Sequence, residues 1–119
     1  MEIPPFMLKK LYVKGSLKKT SNGVSFTLKN AIASAHLVGI DSLTIGGISC
    51  ADKCRLKVGD KEVNREDIKP DNPLYFDVKD KADIIVEDVD LQEGEHEINV
   101  AIQTKEVGPL TITATDALK

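Results

Sequence analysis

Apolar and polar residues alternate with a period of two along most of this chain, which is the signature of strands with one dry face. Val24, Phe26 and Leu28 interleave with Ser25, Thr27 and Lys29. Ile98, Val100 and Ile102 interleave with Asn99, Ala101 and Gln103, and Leu110, Ile112 and Ala114 repeat the pattern after a Val107-Gly108-Pro109 turn. Turn residues punctuate these runs. Ser21-Asn22-Gly23 predicts a hairpin in which Asn-Gly supplies the positive φ angles, joining a first strand over residues 11–17 to the Val24 strand. Gly59-Asp60 predicts a second hairpin between residues 55–58 and 61–63. Strands over residues 34–38 and 43–45 are read as separated by Gly39 and Asp41, with Gly46-Gly47 as the next turn and Ile48 beginning the return. Asn64 stands where it would cap a single helical turn over residues 65–68, stopped by Pro70, and residues 69–73 read as a loop. Further strands over residues 74–78, 83–86, 97–104 and 110–115 bring the count to about eight or nine.

Helical stripes are almost absent, so no crossover helices exist to build a parallel sheet. Strands that are each dry on one side must pair as two sheets or close on themselves. The expected fold is all-β, a two-sheet antiparallel β-sandwich forming a single domain over residues 1–119. A partly open β-barrel is the alternative that strand count and turn spacing leave open.

Composition narrows the function classes. At 119 residues and 13.0 kDa the chain has enough material for one core. Aromatic residues are 4% with no Trp, too few for a row of base- or sugar-stacking rings. The net charge of −3 and pI of about 5.4 give no basic footprint, so no nucleic-acid partner is expected. Lys9, Lys10, Lys14, Lys18 and Lys19 form the one lysine-rich stretch, and lysines on the wet face of an edge strand also guard it against sheet-to-sheet pairing. No apolar run is long enough to cross a bilayer, and Met1 to Pro5 lack the features of a signal peptide. A soluble, cytoplasmic protein without a membrane partner is the expectation.

Groups with chemical potential are few. Cys50 and Cys54 with His36 and His96 have the ligand types for zinc but not the spacing of a compact finger, and two reduced thiols are expected. Asp77, Asp80, Asp83, Glu87, Asp88 and Asp90 form an acidic stretch, but Asp88-Val89-Asp90 lacks the remaining ligands of a helix-loop-helix calcium site, and Lys79 and Lys81 interleave with the acids. His96, entering a strand between Glu95 and Glu97, is expected to satisfy a neighbouring carbonyl or carboxylate, and His36 to be a partly buried packing residue within the run from Ala35 to Ile40. Gly46-Gly47 shows no phosphate-loop pattern. No catalytic residue, metal ligand or cofactor is assigned. Leu74 and Phe76 are expected to share the inner face of a strand while Tyr75 looks outward, which makes Tyr75, with Phe76 and His96, the candidate interface or ligand contact.

Several segments together resemble the small β subunit of C-glycoside deglycosidases. They are the opening strand-turn-strand (Val13 to Leu28), Leu43-Thr44-Ile45 before a Gly turn, Gly59-Asp60-Lys61-Glu62-Val63, Asn72-Pro73-Leu74-Tyr75-Phe76, Leu91-Gln92-Glu93-Gly94-Glu95-His96-Glu97-Ile98 and the closing strand Gly108 to Asp116. That resemblance implies a β-sandwich accompanying a larger, metal-dependent barrel subunit, the pair cleaving the carbon–carbon bond of oxidised C-glycosides. It carries no catalytic residue onto this chain. The expected function is thus a non-catalytic accessory, partner-binding subunit of a barrel-type enzyme acting on sugars, and a homo-oligomer through edge strands is a further expected assembly. The alternatives are a stand-alone carbohydrate- or calcium-binding β module and a hydrolase using His96.

Overall fold

The computed structural model describes residues 3–119, so Met1 and Glu2 of the N-terminal pentapeptide, in which no signal peptide is read, lie outside the described residues. Ten strands form two antiparallel sheets. They are β1 (Lys18–Lys19), β2 (Gly23–Lys29), β3 (Ala35–Ile45), β4 (Ile48–Ser49), β5 (Cys54–Val58), β6 (Lys61–Asn64), β7 (Leu74–Phe76), β8 (Lys81–Glu87), β9 (Gly94–Thr104) and β10 (Gly108–Leu118). One sheet runs β1-β2-β8-β5-β6, and the other runs β10-β9-β3-β4 with β7 on β3. Neither sheet closes, so the sandwich is the fold and the open barrel is not. The two-residue β1 and β4 are too short to show a period, and β4 is the return that Ile48 begins.

The core lies between the sheets. Val24, Phe26, Leu56, Ile84 and Val86 face Leu43, Ile45, Ile98, Val100 and Ile112, all at most 2% exposed. β8, β9 and β10 contribute alternate residues, as the period of two requires. β9 and β10 pair in unbroken register from Gly94↔Leu118 to Thr104↔Gly108, and on β10 every inward position from Leu110 to Leu118 has even parity.

Three local readings are corrected. Residues 34–45 do not form two strands about Gly39 and Asp41. They form β3, one continuous eleven-residue strand with irregularities between Leu37 and Gly39 and between Ile40 and Ser42. Each bulge inserts an extra residue, so the inward side chains fall at Leu37, Ile40, Leu43 and Ile45 and the period of two is lost. Residues 11–17 are not a strand. A four-residue helix, α1 (Pro5–Leu8), runs into a 3₁₀ turn over Lys9–Leu11, which buries Leu8, Leu11 and Tyr12. Their spacing is that of a helix face. The chain then crosses by the Tyr12↔Leu28 bridge to β1. Finally, Asn64 precedes a 3₁₀ turn over Arg65–Asp67 but its side chain makes no capping hydrogen bond.

The hairpins show what their glycines are for. Gly59 takes φ +60 in the two-residue turn between β5 and β6, as its turn dipeptide predicts. Gly23 does not take a positive φ. The first hairpin turns on Ser21-Asn22, because Thr20 N–H donates to Gly23 O at 2.9 Å, and Gly23 already lies in β2 opposite Glu87. A Cβ there would sit 1.9 Å from Val86 O, so the glycine serves close backbone approach. Gly46 combines both demands. It sits at φ +59, and a Cβ would fall 2.8 Å from His96 Nδ1. Gly46→Ala is expected to cost about 2 kcal/mol from backbone strain and displacement of the imidazole, read as a lowered urea midpoint with an unchanged slope.

Candidate functional site

The sequence leaves two features at the end of the sandwich where β3 begins and β9 finishes. One is a rim of polar and aromatic side chains, and the other is an apolar pocket behind it. β7 lies along β3 with His36 opposite Tyr75 and Leu37 opposite Leu74, while β9 flanks the other edge with Thr104 opposite Leu37. Alternation then sends Ala35 and Leu37 inward and His36 outward beside Tyr75.

On the rim, the His36 and Tyr75 rings stand 5.0 Å apart at 48°. Glu106, on the β9–β10 turn, accepts from the His36 backbone N–H at 2.8 Å, and its second oxygen lies 2.7 Å from His36 Nδ1. These bonds hold the Glu106 carboxyl below the usual carboxylate range, the side-chain contact first and the backbone N–H second. Ser34 Oγ donates to Asp77, which also accepts from Val78 N–H at 2.8 Å. The Ser34 hydroxyl and then this backbone bond lower the Asp77 carboxyl. Tyr75 at 48% and Val78 at 42% are among the few large apolar side chains left exposed.

Behind the rim lies a pocket of about 240 Å³ lined from both sheets. Leu28, Ile40, Ile84 and Ile112 form its buried wall, and Ala33, Ser34 and Glu106 are its exposed lining residues. Its polar lining is spoken for. Asn30 Nδ2 donates to Ala33 O (2.7 Å) and Phe76 O (2.9 Å), and its Oδ1 accepts from the N–H groups of Ile32 (3.1 Å) and Ala33 (3.3 Å). Thr104 Oγ1 donates to Gly108 O at 3.0 Å and accepts from Val107 N–H at 3.1 Å.

Of the three residues singled out from sequence, Tyr75 is outward on the rim, whereas Phe76 is inward and 7% exposed, its ring among those lining the pocket. His96 is at the other end of the second sheet. Eight residues of β9 separate it from Thr104, roughly 26 Å at the rise of an extended strand, so it does not join Tyr75. His96 Nε2 donates to Gln92 O at 2.7 Å, which fixes that nitrogen as the protonated one. Its role as a partner for a backbone carbonyl is the one expected. His36 is half-buried against the Tyr75 ring, the packing role expected of it, and in addition pairs with Glu106.

The acidic stretch is strung along β8 and its flanks. Asp80 accepts from Asp77 N–H at 2.9 Å, Asp83 accepts from Thr27 Oγ1 at 2.7 Å, and Glu87 pairs with Arg55. Among the described residues no group of three His, Cys, Asp or Glu side chains is placed to hold a metal ion. Cys50 and Cys54 are free and buried. Burial pushes both thiols up, Cys54 to about 11, which leaves little thiolate for nucleophilic work. Lys18 and Lys19 are exposed on β1, an outer strand of its sheet.

Sequence reasoning missed one further group. Asp116 is 3% exposed on the inner face of β10. Its Oδ2 accepts from Tyr12 Oη (2.8 Å), Gly15 N–H (2.9 Å) and Leu17 N–H (3.2 Å), and Oδ1 accepts from Ala117 N–H (2.9 Å). Burial alone would raise this carboxyl, but the Tyr12 hydroxyl and the backbone donors together pull it below its ordinary value. The same contact pushes the Tyr12 phenol upward, burial being the larger cause. Tyr12 also stacks on Phe26 at 5.6 Å. Asp116 thus ties the N-terminal segment to β10. Its parity with Leu110, Ile112 and Leu118 was the available signal.

No helix among the described residues is long and apolar enough to cross a membrane. No curated protein matches the chain. A family model described as hydroxymethylglutaryl-CoA reductase, N-terminal domain, matches residues 7–119. That match overturns the resemblance to the C-glycoside deglycosidase small subunit. With it go the assignment to a carbon–carbon lyase complex or sugar metabolism and the alternative of a free-standing carbohydrate- or calcium-binding module. The segments that carried the resemblance are hairpins and strand starts, which many sandwiches share.

Proposed function

Since the chain belongs to the hydroxymethylglutaryl-CoA reductase N-terminal domain family, we propose that it works as a domain of a reductase acting on a hydroxymethylglutaryl thioester, contributing a rigid contact surface while the reduction proceeds elsewhere in that enzyme. The observation that carries this reading is the placement of the groups able to do acid, base or nucleophilic chemistry. His36 with Glu106 and His96 sit at opposite ends of one sheet, and both thiols are buried between the sheets and raised. Among the described residues His36 pairs with Glu106 alone, His96 with a backbone carbonyl, and neither imidazole hydrogen-bonds a thiol. Reduction also needs a hydride donor. The Gly46-Gly47 turn leads into β4 instead of a helix, so it does not fit the pyrophosphate of a dinucleotide, and no hydride step is assigned to this domain.

The contact surface we favour is the β7 edge. Tyr75 presents ring area and a hydroxyl at low entropic cost, next to exposed Val78 and the His36–Glu106 pair. Tyr75→Ala is expected to weaken association with the remainder of the reductase about thirtyfold, as for a central interface tyrosine. Calorimetric titration checks this. Unchanged affinity would remove the β7 edge from the interface. Because Tyr75 is on the wet face, the unfolding midpoint should move by less than about 1 kcal/mol equivalent.

A further inference from the structure

The pocket behind the rim meets the proposed contact surface at Glu106, while its wall is formed by side chains on the inner faces of both sheets. At about 240 Å³ it exceeds an engineered apolar cavity of about 150 Å³ that stays dry and takes up benzene. A void of this size forfeits dispersion contacts along its whole lining, so a molecule that restores them is stabilised there.

The lining decides the chemistry of that molecule. Leu28, Ile40, Ile84 and Ile112 offer only methyl and methylene groups. The amide of Asn30 has both hydrogens and its oxygen engaged by the protein, and the Thr104 hydroxyl both donates and accepts within its own turn. Among the described residues Glu106 is the ionisable side chain of the lining, and both its oxygens are turned to His36. A ligand group that needs a hydrogen bond therefore finds none at depth, and a charge there would be unpaired. The amide-bearing arm of a CoA thioester is unsuited on the same ground.

We propose that this pocket is a binding site for a small uncharged molecule with a hydrocarbon body, an aliphatic chain or alicyclic ring that lies against the buried wall and leaves any polar group beside the exposed Ala33, Ser34 and Glu106. Binding restores the contacts the pocket forfeits and gives a reductase of this family a site for an apolar effector separate from its substrate.

The test is a titration of the 119-residue chain with 1-octanol, followed by isoleucine methyl resonances. Ile40, Ile84, Ile102 and Ile112 line the pocket, while Ile45 and Ile98 are buried in the core outside the lining and serve as internal controls. The expected result is saturable shifts in the first four with Ile45 and Ile98 unmoved. A second hydroxyl carried to the buried end, as in 1,8-octanediol, should weaken binding at least about tenfold. Filling the wall with Ala82→Leu should abolish the shifts. Should that variant not fold, Ala35→Met, at a half-buried lining position, is expected to weaken octanol binding about tenfold. Equal shifts at all six isoleucines, equal affinity for the diol, or undiminished binding in a folded variant would each overturn the proposal.

Discussion

Replacing Asp116 by alanine is expected to lower stability by about 4 kcal/mol, because it strands a buried phenol and the N–H groups of Gly15 and Leu17 that now share one carboxylate. For a domain of this size that corresponds to a fall of roughly 15 °C in Tm. The loss should be concentrated in the N-terminal segment. Tyr12 would lose its partner, and the stack on Phe26 would loosen. Backbone amide exchange over residues 12–17 should accelerate more than exchange in β9. The same carboxylate, as the buried one of the three held low, contributes to the acid limb of stability beside Asp77 and Glu106. Its folded pKa lies below the ordinary value of about 3.9, so the stabilisation is complete above that pH and is lost as pH falls through the folded value. Asp116→Asn should therefore flatten the decline in urea midpoint below about pH 4. A wild-type acid limb retained in the variant would assign it to other carboxylates.

Gly23→Ala is the second large effect, expected to cost about 4 kcal/mol or to prevent folding. The added Cβ would meet Val86 O at 1.9 Å, with Val86 C at 3.0 Å and Glu87 Cα at 3.1 Å. All three are backbone atoms of the paired strand and have no rotamer through which to yield. Relief requires β2 and β8 to separate at a central pairing of their sheet. A thermal melt checks it. Ala at Gly59, where no atom lies within 4 Å of the added Cβ, isolates the cost of a positive φ alone, about 1 kcal/mol.

These two residues also show where the sequence is readable and where it is silent. β9 and β10 are legible because each stays in one register for eleven residues and buries alternate side chains. β3 is opaque because two bulges reset its parity, and a period-two search then divides it at Gly39. Gly23 was legible as a turn marker for the wrong reason, since a strand pressed against a carbonyl and a turn needing positive φ both select glycine. Asp116 was visible as a carboxylate in an apolar register, but its meaning depended on Tyr12, which lies 104 residues away. Of the candidate site, Tyr75 could be read from the alternation of β7, whereas Glu106 could not. The Glu106–His36 pair joins a turn to a strand across the sheet edge, and no local pattern announces it.

The same limit explains the family assignment. Hairpins and strand starts specify a sandwich, and sandwiches serve many enzymes, so the segments that resembled one subunit carried fold information without chemistry. A match extending over residues 7–119 integrates the whole pattern. The proposed role puts reduction of a hydroxymethylglutaryl thioester elsewhere in the enzyme and a contact surface in this domain. Release of CoA thiol from hydroxymethylglutaryl-CoA in the presence of a reduced nicotinamide distinguishes the two. Turnover is expected from the complete reductase and none from the purified 119-residue chain, and steady thiol release by the purified chain alone would overturn the proposal.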